Sequence, residues 1–461
     1  MTVQLKKSVT SGSSVAITVV DRAAFKTLSA QLPEATRRWL EATGFSAAPD
    51  SFALVPGADG RLGQVFAGVA HASQPFALAA LPLALPEGDY HLGTDGLTLD
   101  DEAAALSWEL GCYQFDLYKP RKRAPARLQL ASSPAAQRGM ALATAIAATR
   151  DLVNTPAEHM GPEELAKAAQ LVAKQHGAKF SQIVGDALLK KSFPAVHAVG
   201  RASTRAPRLI ELNWGKAKDP LIAIVGKGVC FDTGGLDIKP ADGMRQMKKD
   251  MGGAANALGL ATLIMALKLP VRLQLLIPAV ENSIAGNAYR PGDVIKTRKG
   301  LHIEIGNTDA EGRVVLSDAL AYASESKPEL IIDLATLTGA ARVALGAQLP
   351  ALFSKHHDTA RDLVDLGMKL DDPLWHMPLW APYKSGIEST IGDIVNTGKS
   401  ALAGAINAAL FLEYFVPENQ DWLHIDLFAW NDTARPGRPI GGEAQTIRTL
   451  LAYLEERFAA A

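Results

Sequence analysis

The sequence predicts an α/β protein of two domains: a small N-terminal α/β domain, and a larger C-terminal domain whose mostly parallel central sheet is flanked by helices. Three observations carry this. At 461 residues the chain exceeds what one ordinary core encloses. From Arg208 onward, dense apolar runs alternate with stretches of helical periodicity, the pattern of a parallel sheet covered on both faces. Before about residue 125, shorter strand-like and helix-like runs alternate at lower density.

Taken in order, the N-terminal part offers strands at Ser14–Val20, Phe52–Val55 and Leu62–Val69, with helices at Pro33–Ala42 and Asp100–Tyr113. The basic, proline-bearing segment 120–134 reads as a linker. Pro134–Val153 follows as an Ala-rich helix, stopped near Asn154-Thr155-Pro156, and Glu163–His176 makes another. These divide the chain into an N-terminal domain at 1–125, a linker and connecting helix at 126–155, and the main domain at 156–461. In the main domain, buried strands are expected at Leu209–Leu212, Leu221–Val225, Leu273–Val280, Ile303–Ile305, Leu330–Leu334 and Leu423–Leu427. Helices are expected at Ala254–Leu267, Arg313–Ser324 and Ala401–Phe415.

Hydrophobic residues at 48% and charged residues at 21% are globular values. A formal net charge of −1 gives no global field toward nucleic acid or an anionic membrane. The local cluster Lys119, Arg121, Lys122, Arg123 and Arg127 reads as a solvated linker before it reads as a nucleic-acid patch. Two cysteines, Cys112 and Cys230, provide no disulfide framework and fit a reducing compartment. No signal peptide and no apolar run long enough to span a membrane are evident, so a soluble, cytoplasmic protein is expected.

The chemistry concentrates in Asn307-Thr308-Asp309-Ala310-Glu311-Gly312-Arg313, between a strand pattern and a helix pattern. Open α/β sheets place ligands at the carboxyl ends of strands. Spacing of two in an extended turn sends Asp309, Glu311 and Arg313 the same way. Two carboxylates so crowded repel unless a cation lies between them. Taken alone, the pair is equally readable as caps on the next helix.

A second acidic stretch changes that balance: Lys227, Asp232, Thr233, Gly234, Gly235, Asp237 and Lys239, followed by Met247-Lys248-Lys249-Asp250-Met251-Gly252-Gly253. Together the two stretches resemble the signatures of the leucyl aminopeptidase (cytosol aminopeptidase) family, dinuclear metallo-exopeptidases. Asn-Thr-Asp-Ala-Glu-Gly-Arg matches that family's hallmark without a change, and the similarity runs from about Arg150 to the C-terminus.

The resemblance implies that 156–461 is a catalytic metallopeptidase domain and 1–125 a non-catalytic domain that helps assemble the oligomer. It implies Lys227, Asp232, Asp250, Asp309 and Glu311 as ligands for two divalent ions, with Asp232 and Glu311 bridging. Oxygen donors suit Mn, Zn, Mg or Co. A lysine ligates only as the neutral amine, which an adjacent dication favours. It further implies Lys239 as the electrophile on the scissile carbonyl, and Arg313 as the anchor of a bicarbonate ion. Met247, Thr336, Leu337 and Gly339 resemble the first side-chain pocket. The apolar Met247 points to hydrophobic N-terminal residues within a broad range, although a core methionine looks the same.

Peptide substrates and a homohexamer of two trimers follow from the resemblance, with no membrane partner and no expected nucleic acid. Two departures stand out. Where the family has serine, this chain has Thr233 and Asp237, and Asp237 is near enough in sequence to pair with Lys239 and alter its reach. The alternatives are a nucleic-acid-binding regulator on the same scaffold, through the basic cluster, and another dinuclear metal hydrolase such as a phosphatase.

Overall fold

Leu221–Gly226 and Leu330–Ala335 have no polar face, and every one of their residues is buried. Strands of this kind need cover on both sides. In the computed structural model, which describes residues 2–7 and 14–459, the two lie side by side at the middle of a nine-stranded sheet. From one edge the order is Trp375–His376, Ala351–Ser354, Trp422–Asp426, Leu330–Ala335, Leu221–Gly226, Arg272–Asn282, Arg208–Trp214 and Lys179–Val184. The central pairings are parallel. Antiparallel pairings lie outside them, where Ala351–Ser354 meets Trp422–Asp426 and where Arg208–Trp214 meets its two neighbours.

The long strand Arg272–Asn282 serves two partners in succession. Its first half pairs with Leu221–Val225, and its last residues pair with Gly228–Asp232, again in parallel. Lys227 falls in the break between those partners. Its backbone stays satisfied there: its N–H donates to Leu334 O at 2.9 Å, and its carbonyl accepts from Ala254 N at 2.8 Å. The helix Gly252–Ala266 packs on this part of the sheet. A Cβ on Gly226 would stand 2.6 Å from Ala254 Cα, so the approach requires glycine.

The consequence for function is directional. Leu221–Gly226, Gly228–Asp232, Arg272–Asn282, Leu330–Ala335 and Trp422–Asp426 run parallel and end on one rim. The helix Glu311–Glu325 is nearly wholly buried and contributes Val314, Val315, Leu316, Ala319 and Leu320 to the core beneath that rim. Full burial of each valine or leucine among them contributes about 1.5–3 kcal/mol.

Three expectations are corrected. The strand His302–Glu304 does not join the central sheet; it belongs to a three-stranded sheet with Val294–Lys296 and Ile394–Val395. Its apolar alternation signals burial of one face, which a small accessory sheet provides as well. The helix expected from Ala401 starts at Gly404. The segment 120–134 is not all linker: Arg127–Ala131 is a strand paired with Val3–Lys6 and Asp89–Leu92.

By contacts the chain forms two compact units, Met1–Ala147 with Thr433–Ile440, and Ala148–Asp432 with Gly441–Ala461. The first holds a six-stranded sheet, parallel apart from the hairpin Phe52–Pro56 with Leu62–Gly68. Within it the basic cluster is largely engaged. Arg121 pairs with Asp116 and Arg127 with Asp89, while Arg123 donates to the Leu85 and Pro82 carbonyls. No helix among the described residues is long and apolar enough to cross a membrane.

Candidate metal centre

At the rim, Lys227 and Asp232 come from the ends of consecutive strands, Asp250 from a 3-10 turn ahead of the helix Gly252–Ala266, and Asp309 and Glu311 from the start of the helix Glu311–Glu325. Asp232, Asp250 and Glu311 are buried, and Asp309 is half-buried. Asp232, Asp309 and Glu311 each bring one carboxylate oxygen to within 4.8 Å of the others.

The lysines bracket this acidic group. Lys227 Nζ lies 2.9 Å from both oxygens of Asp250 and from Glu311 Oε1, and donates to Thr336 O at 2.8 Å. Lys239 Nζ lies 2.9 Å from Asp232 Oδ2 and pairs with Asp309. Burial by itself would lower the pKa of either lysine. For Lys227 the carboxylates of Asp250, Glu311 and Asp232 override it, for Lys239 those of Asp232 and Asp309, and both ammonium groups are held charged. Four carboxylates against two ammonium groups still leave a negative excess. Burial, then the neighbouring Asp232, pushes Asp309 up to about 6 and Glu311 well above the carboxylate range.

Two buried atoms report unmet demand. Glu311 Oε2 and Arg313 Nε have no hydrogen-bond partner among the described residues. An orphaned carboxylate oxygen within a crowded acidic cluster fits a divalent cation, which takes oxygen donors and offsets the repulsion. A hydrophobic reading does not fit, because orphaned buried polar atoms cost about 1–3 kcal/mol each.

The surrounding hydrogen bonds fix these side chains. Asp232 Oδ1 accepts from Gly234 N and Asn282 Nδ2, both at 2.8 Å. Thr336 Oγ1 donates to Asp250 Oδ1 at 2.8 Å. Asn396 Oδ1 accepts from Gly306 N at 2.8 Å, and its Nδ2 donates to Asn307 O at 2.7 Å, clamping the turn before Asp309. Asp426 accepts from Leu337 N, Thr338 N and Thr338 Oγ1, at 2.9, 3.2 and 2.7 Å. Asn282, Asn396 and Asp426 escape sequence reasoning because their partners are far away; Asn396 and Asn307 are 89 positions apart.

Asp237 departs from its expected role. Its Oδ2 accepts from Thr308 N at 2.8 Å and from Thr308 Oγ1 at 3.2 Å, while its own N–H donates to Thr308 Oγ1 at 2.9 Å. Lys239 looks instead to Asp232 and Asp309. The turn at Gly234 and Gly235, with φ of +88° and +67°, carries Asp237 across to Thr308.

A cavity of about 540 Å³ opens over the cluster. It is lined by Lys227, Asp232, Asp250, Asp309, Glu311 and Lys239, and by Met247, Thr336, Leu337 and Gly339. Of the residues given a catalytic, metal or substrate role from sequence, Arg313 alone does not line it. The extended turn expected to aim Asp309, Glu311 and Arg313 alike is already helix at Glu311, and two positions along a helix rotate a side chain by about 200°. Burial lowers the Arg313 pKa to about 10, with Glu311 and then Asp426 opposing it. The cavity also holds Lys249, Arg342 and Phe428, which sequence reasoning left unassigned. Cys230 is buried, and burial holds its thiol well above the usual range, as an inert core residue requires.

Comparison with known proteins agrees with this geometry. Residues 147–451 match the pattern described as "Cytosol aminopeptidase family, catalytic domain", and residues 17–131 match "M17 aminopeptidase, N-terminal domain". A probable cytosol aminopeptidase of Syntrophotalea carbinolica is 40% identical over 365 residues, 75% of this chain and 73% of that one. The crystal structure of a cytosol aminopeptidase from Coxiella burnetii is 47% identical, with a TM-score of 0.93 over 99% of each chain. The bottromycin maturation enzyme BotP in complex with Mn is 32% identical, with a TM-score of 0.87 over 97% of this chain and 100% of that one. With its catalytic and N-terminal patterns both matched and its acidic cluster set at the sheet rim, the chain belongs to the cytosol aminopeptidase family and is a metal-dependent aminopeptidase.

Proposed function

We propose that the chain releases N-terminal amino acids from peptides, with two divalent ions held by Lys227, Asp232, Asp250, Asp309 and Glu311. The single observation supporting this is that all five line one cavity together with Lys239 and the pocket residues Met247, Thr336, Leu337 and Gly339. Two such ions, when bound, supply a water activated at neutral pH and a clamp for developing negative charge.

The chain's own residues then divide the work. Asp232 and Glu311 lie innermost, and the Glu311 oxygen without a partner favours a shared, bridging role. Lys227 is held charged by the carboxylates around it; divalent ions in the cluster would offset those carboxylates and favour the neutral amine that can ligate. Lys239 is the more exposed lysine, with 15% of its side chain accessible against 3% for Lys227. It is assigned to polarise the scissile carbonyl and to stabilise the oxyanion. Arg313, a buried cation with an unpartnered Nε, is the proposed anchor of bicarbonate as a proton carrier, a role its absence from the cavity lining does not support.

Manganese or zinc, with magnesium or cobalt as substitutes, is the proposed metal set, and the manganese complex of BotP supports manganese. A homohexamer in the cytoplasm completes the reading; two buried free cysteines fit a reducing compartment. The nucleic-acid and phosphatase alternatives are not favoured. The test is hydrolysis of N-terminal amino-acid amides after chelation and refilling with Mn, Zn or Co. Activity lost on chelation and restored by refilling is expected, and activity indifferent to chelation would overturn the two-metal reading.

A further inference from the structure

The pocket expected to take a hydrophobic N-terminal side chain has a second wall of opposite character. Lys249 is only 6% exposed, yet it lines the cavity. Its ammonium sits 4.4 Å from the centre of the Phe428 ring, and the Arg342 guanidinium sits 5.0 Å from the same ring. Neither cation has a hydrogen-bonding or ion-pair partner for its side chain among the described residues.

Of the acids near Lys249, Asp250 and Asp426 are committed elsewhere, and Asp242, which also lines the cavity, is exposed to solvent. The Asp250 carboxylate is engaged by Lys227 and by Thr336. The Asp426 carboxylate is taken up by the backbone and hydroxyl of Leu337 and Thr338. A nearly buried lysine is seldom left without a counter-charge. Cation–π contact with a ring recovers only about 0.5–2 kcal/mol, less than a charge-assisted hydrogen bond network supplies. The buried Lys249 therefore leaves a place for an anion in the substrate cavity, and the exposed Arg342 on the other side of the ring adds a second positive charge there.

From this we infer that Lys249 and Arg342 recognise a carboxylate on the side chain of the substrate's N-terminal residue, so that the enzyme prefers N-terminal glutamate or aspartate. Met247 and Leu337 would flank the methylene stem, and the two cations would meet its charged end. The inference rests on the aminopeptidase reading above and deepens it by naming the substrate class.

The experiment compares kcat/KM for the 4-nitroanilides of glutamate, glutamine and leucine with the manganese-loaded enzyme. Glutamate and glutamine differ in charge at nearly constant shape, and anilides carry no C-terminal carboxylate, so the ratio reads the side chain alone. Glutamate is expected to exceed glutamine by at least roughly tenfold, the scale of one hydrogen bond to a charged group. The ratio should fall towards one in Lys249→Met, in Arg342→Met and at high salt. Arg342 is exposed on the helix Gly339–Leu345 and is neither a proposed ligand nor next to one in sequence, so its variant keeps the test meaningful should Lys249→Met lose metal. Free L-glutamate should also inhibit more strongly than L-glutamine, an effect lost in Arg342→Met. Equal turnover of glutamate and glutamine anilides overturns the inference. So does a charge dependence seen only with dipeptides bearing a free C-terminal carboxylate, because the cations would then be reading the far end. If none of the three anilides is hydrolysed, the aminopeptidase reading itself fails.

Discussion

Gly312 lies against the side chain of Lys227: a Cβ placed there would stand 2.6 Å from Cε and 2.7 Å from Nζ. The glycine in the hallmark run is thus a steric requirement of a residue 85 positions upstream. Alanine is the better helix former, by about 0.8–1.0 kcal/mol, so Gly312→Ala should leave the melting temperature nearly unchanged. It should nonetheless cost at least roughly tenfold in kcat/KM, because a misplacement of about 1 Å is expensive in an active site. Calorimetry and steady-state kinetics on one sample separate the two effects. Full activity in Gly312→Ala would mean that the position of Lys227 is unimportant.

Lys239 and Asp309 touch each other but should respond differently to removal. Asp309→Ala takes away a proposed ligand and should abolish both metal retention and turnover. Lys239→Ala should keep both ions and lose roughly 10²–10³ in kcat, the scale for one donor to an oxyanion. Metal content by mass spectrometry after desalting decides between these outcomes. Metal lost from Lys239→Ala would show that its role is structural.

How much of this the sequence disclosed depends on distance along the chain. The carboxylates and lysines of the cluster stand out because the two runs that carry them resemble a known family's signatures; Asp309 and Glu311 by themselves read equally well as helix caps. The central strands were legible because their apolar runs are continuous. What stayed hidden depends on contacts between distant segments. Asn396 gives no local sign that it clamps the Asn307 turn, and Arg127–Ala131 reads as linker because the basic, proline-bearing segment around it obscures a strand with three buried positions. The aim of Arg313 is not legible in the sequence, because whether a turn is extended or already helical decides the direction of a side chain.

Asp237 supports the loop that carries Asp309 by accepting from Thr308 N and Oγ1. Asp237→Ala should weaken manganese affinity and lower stability by about 1.5–3 kcal/mol, the scale of hydrogen bonds to a charged group. The pH optimum should stay where it is, because Lys239 does not pair with this residue. Titration calorimetry with manganese measures the first effect; a moved pH optimum with unchanged affinity would restore the view that Asp237 acts on Lys239.

Asp318 offers a stability test away from the site. It accepts from the backbone N–H groups of Ala195, Val196 and Arg298, yet burial pushes its carboxyl up to about 7 from 3.8. The folded state therefore keeps this proton to near neutrality, while the unfolded chain gives it up near pH 4. Between those values the folded state binds more protons, so the Asp318 contribution to stability falls as pH rises from about 4 to 7 and is flat above. The span is on the order of 4 kcal/mol. Denaturation curves of wild type and Asp318→Asn across this range should differ in slope with that sign, and parallel curves would contradict it.

The most direct measurement is anomalous diffraction at the manganese edge from crystals of the manganese-loaded enzyme. Two peaks are expected within the cluster, one beside Lys227 and Asp250 and one beside Asp309, with Asp232 and Glu311 reaching both. A single peak, or peaks outside the group formed by Lys227, Asp232, Asp250, Asp309 and Glu311, would contradict the account.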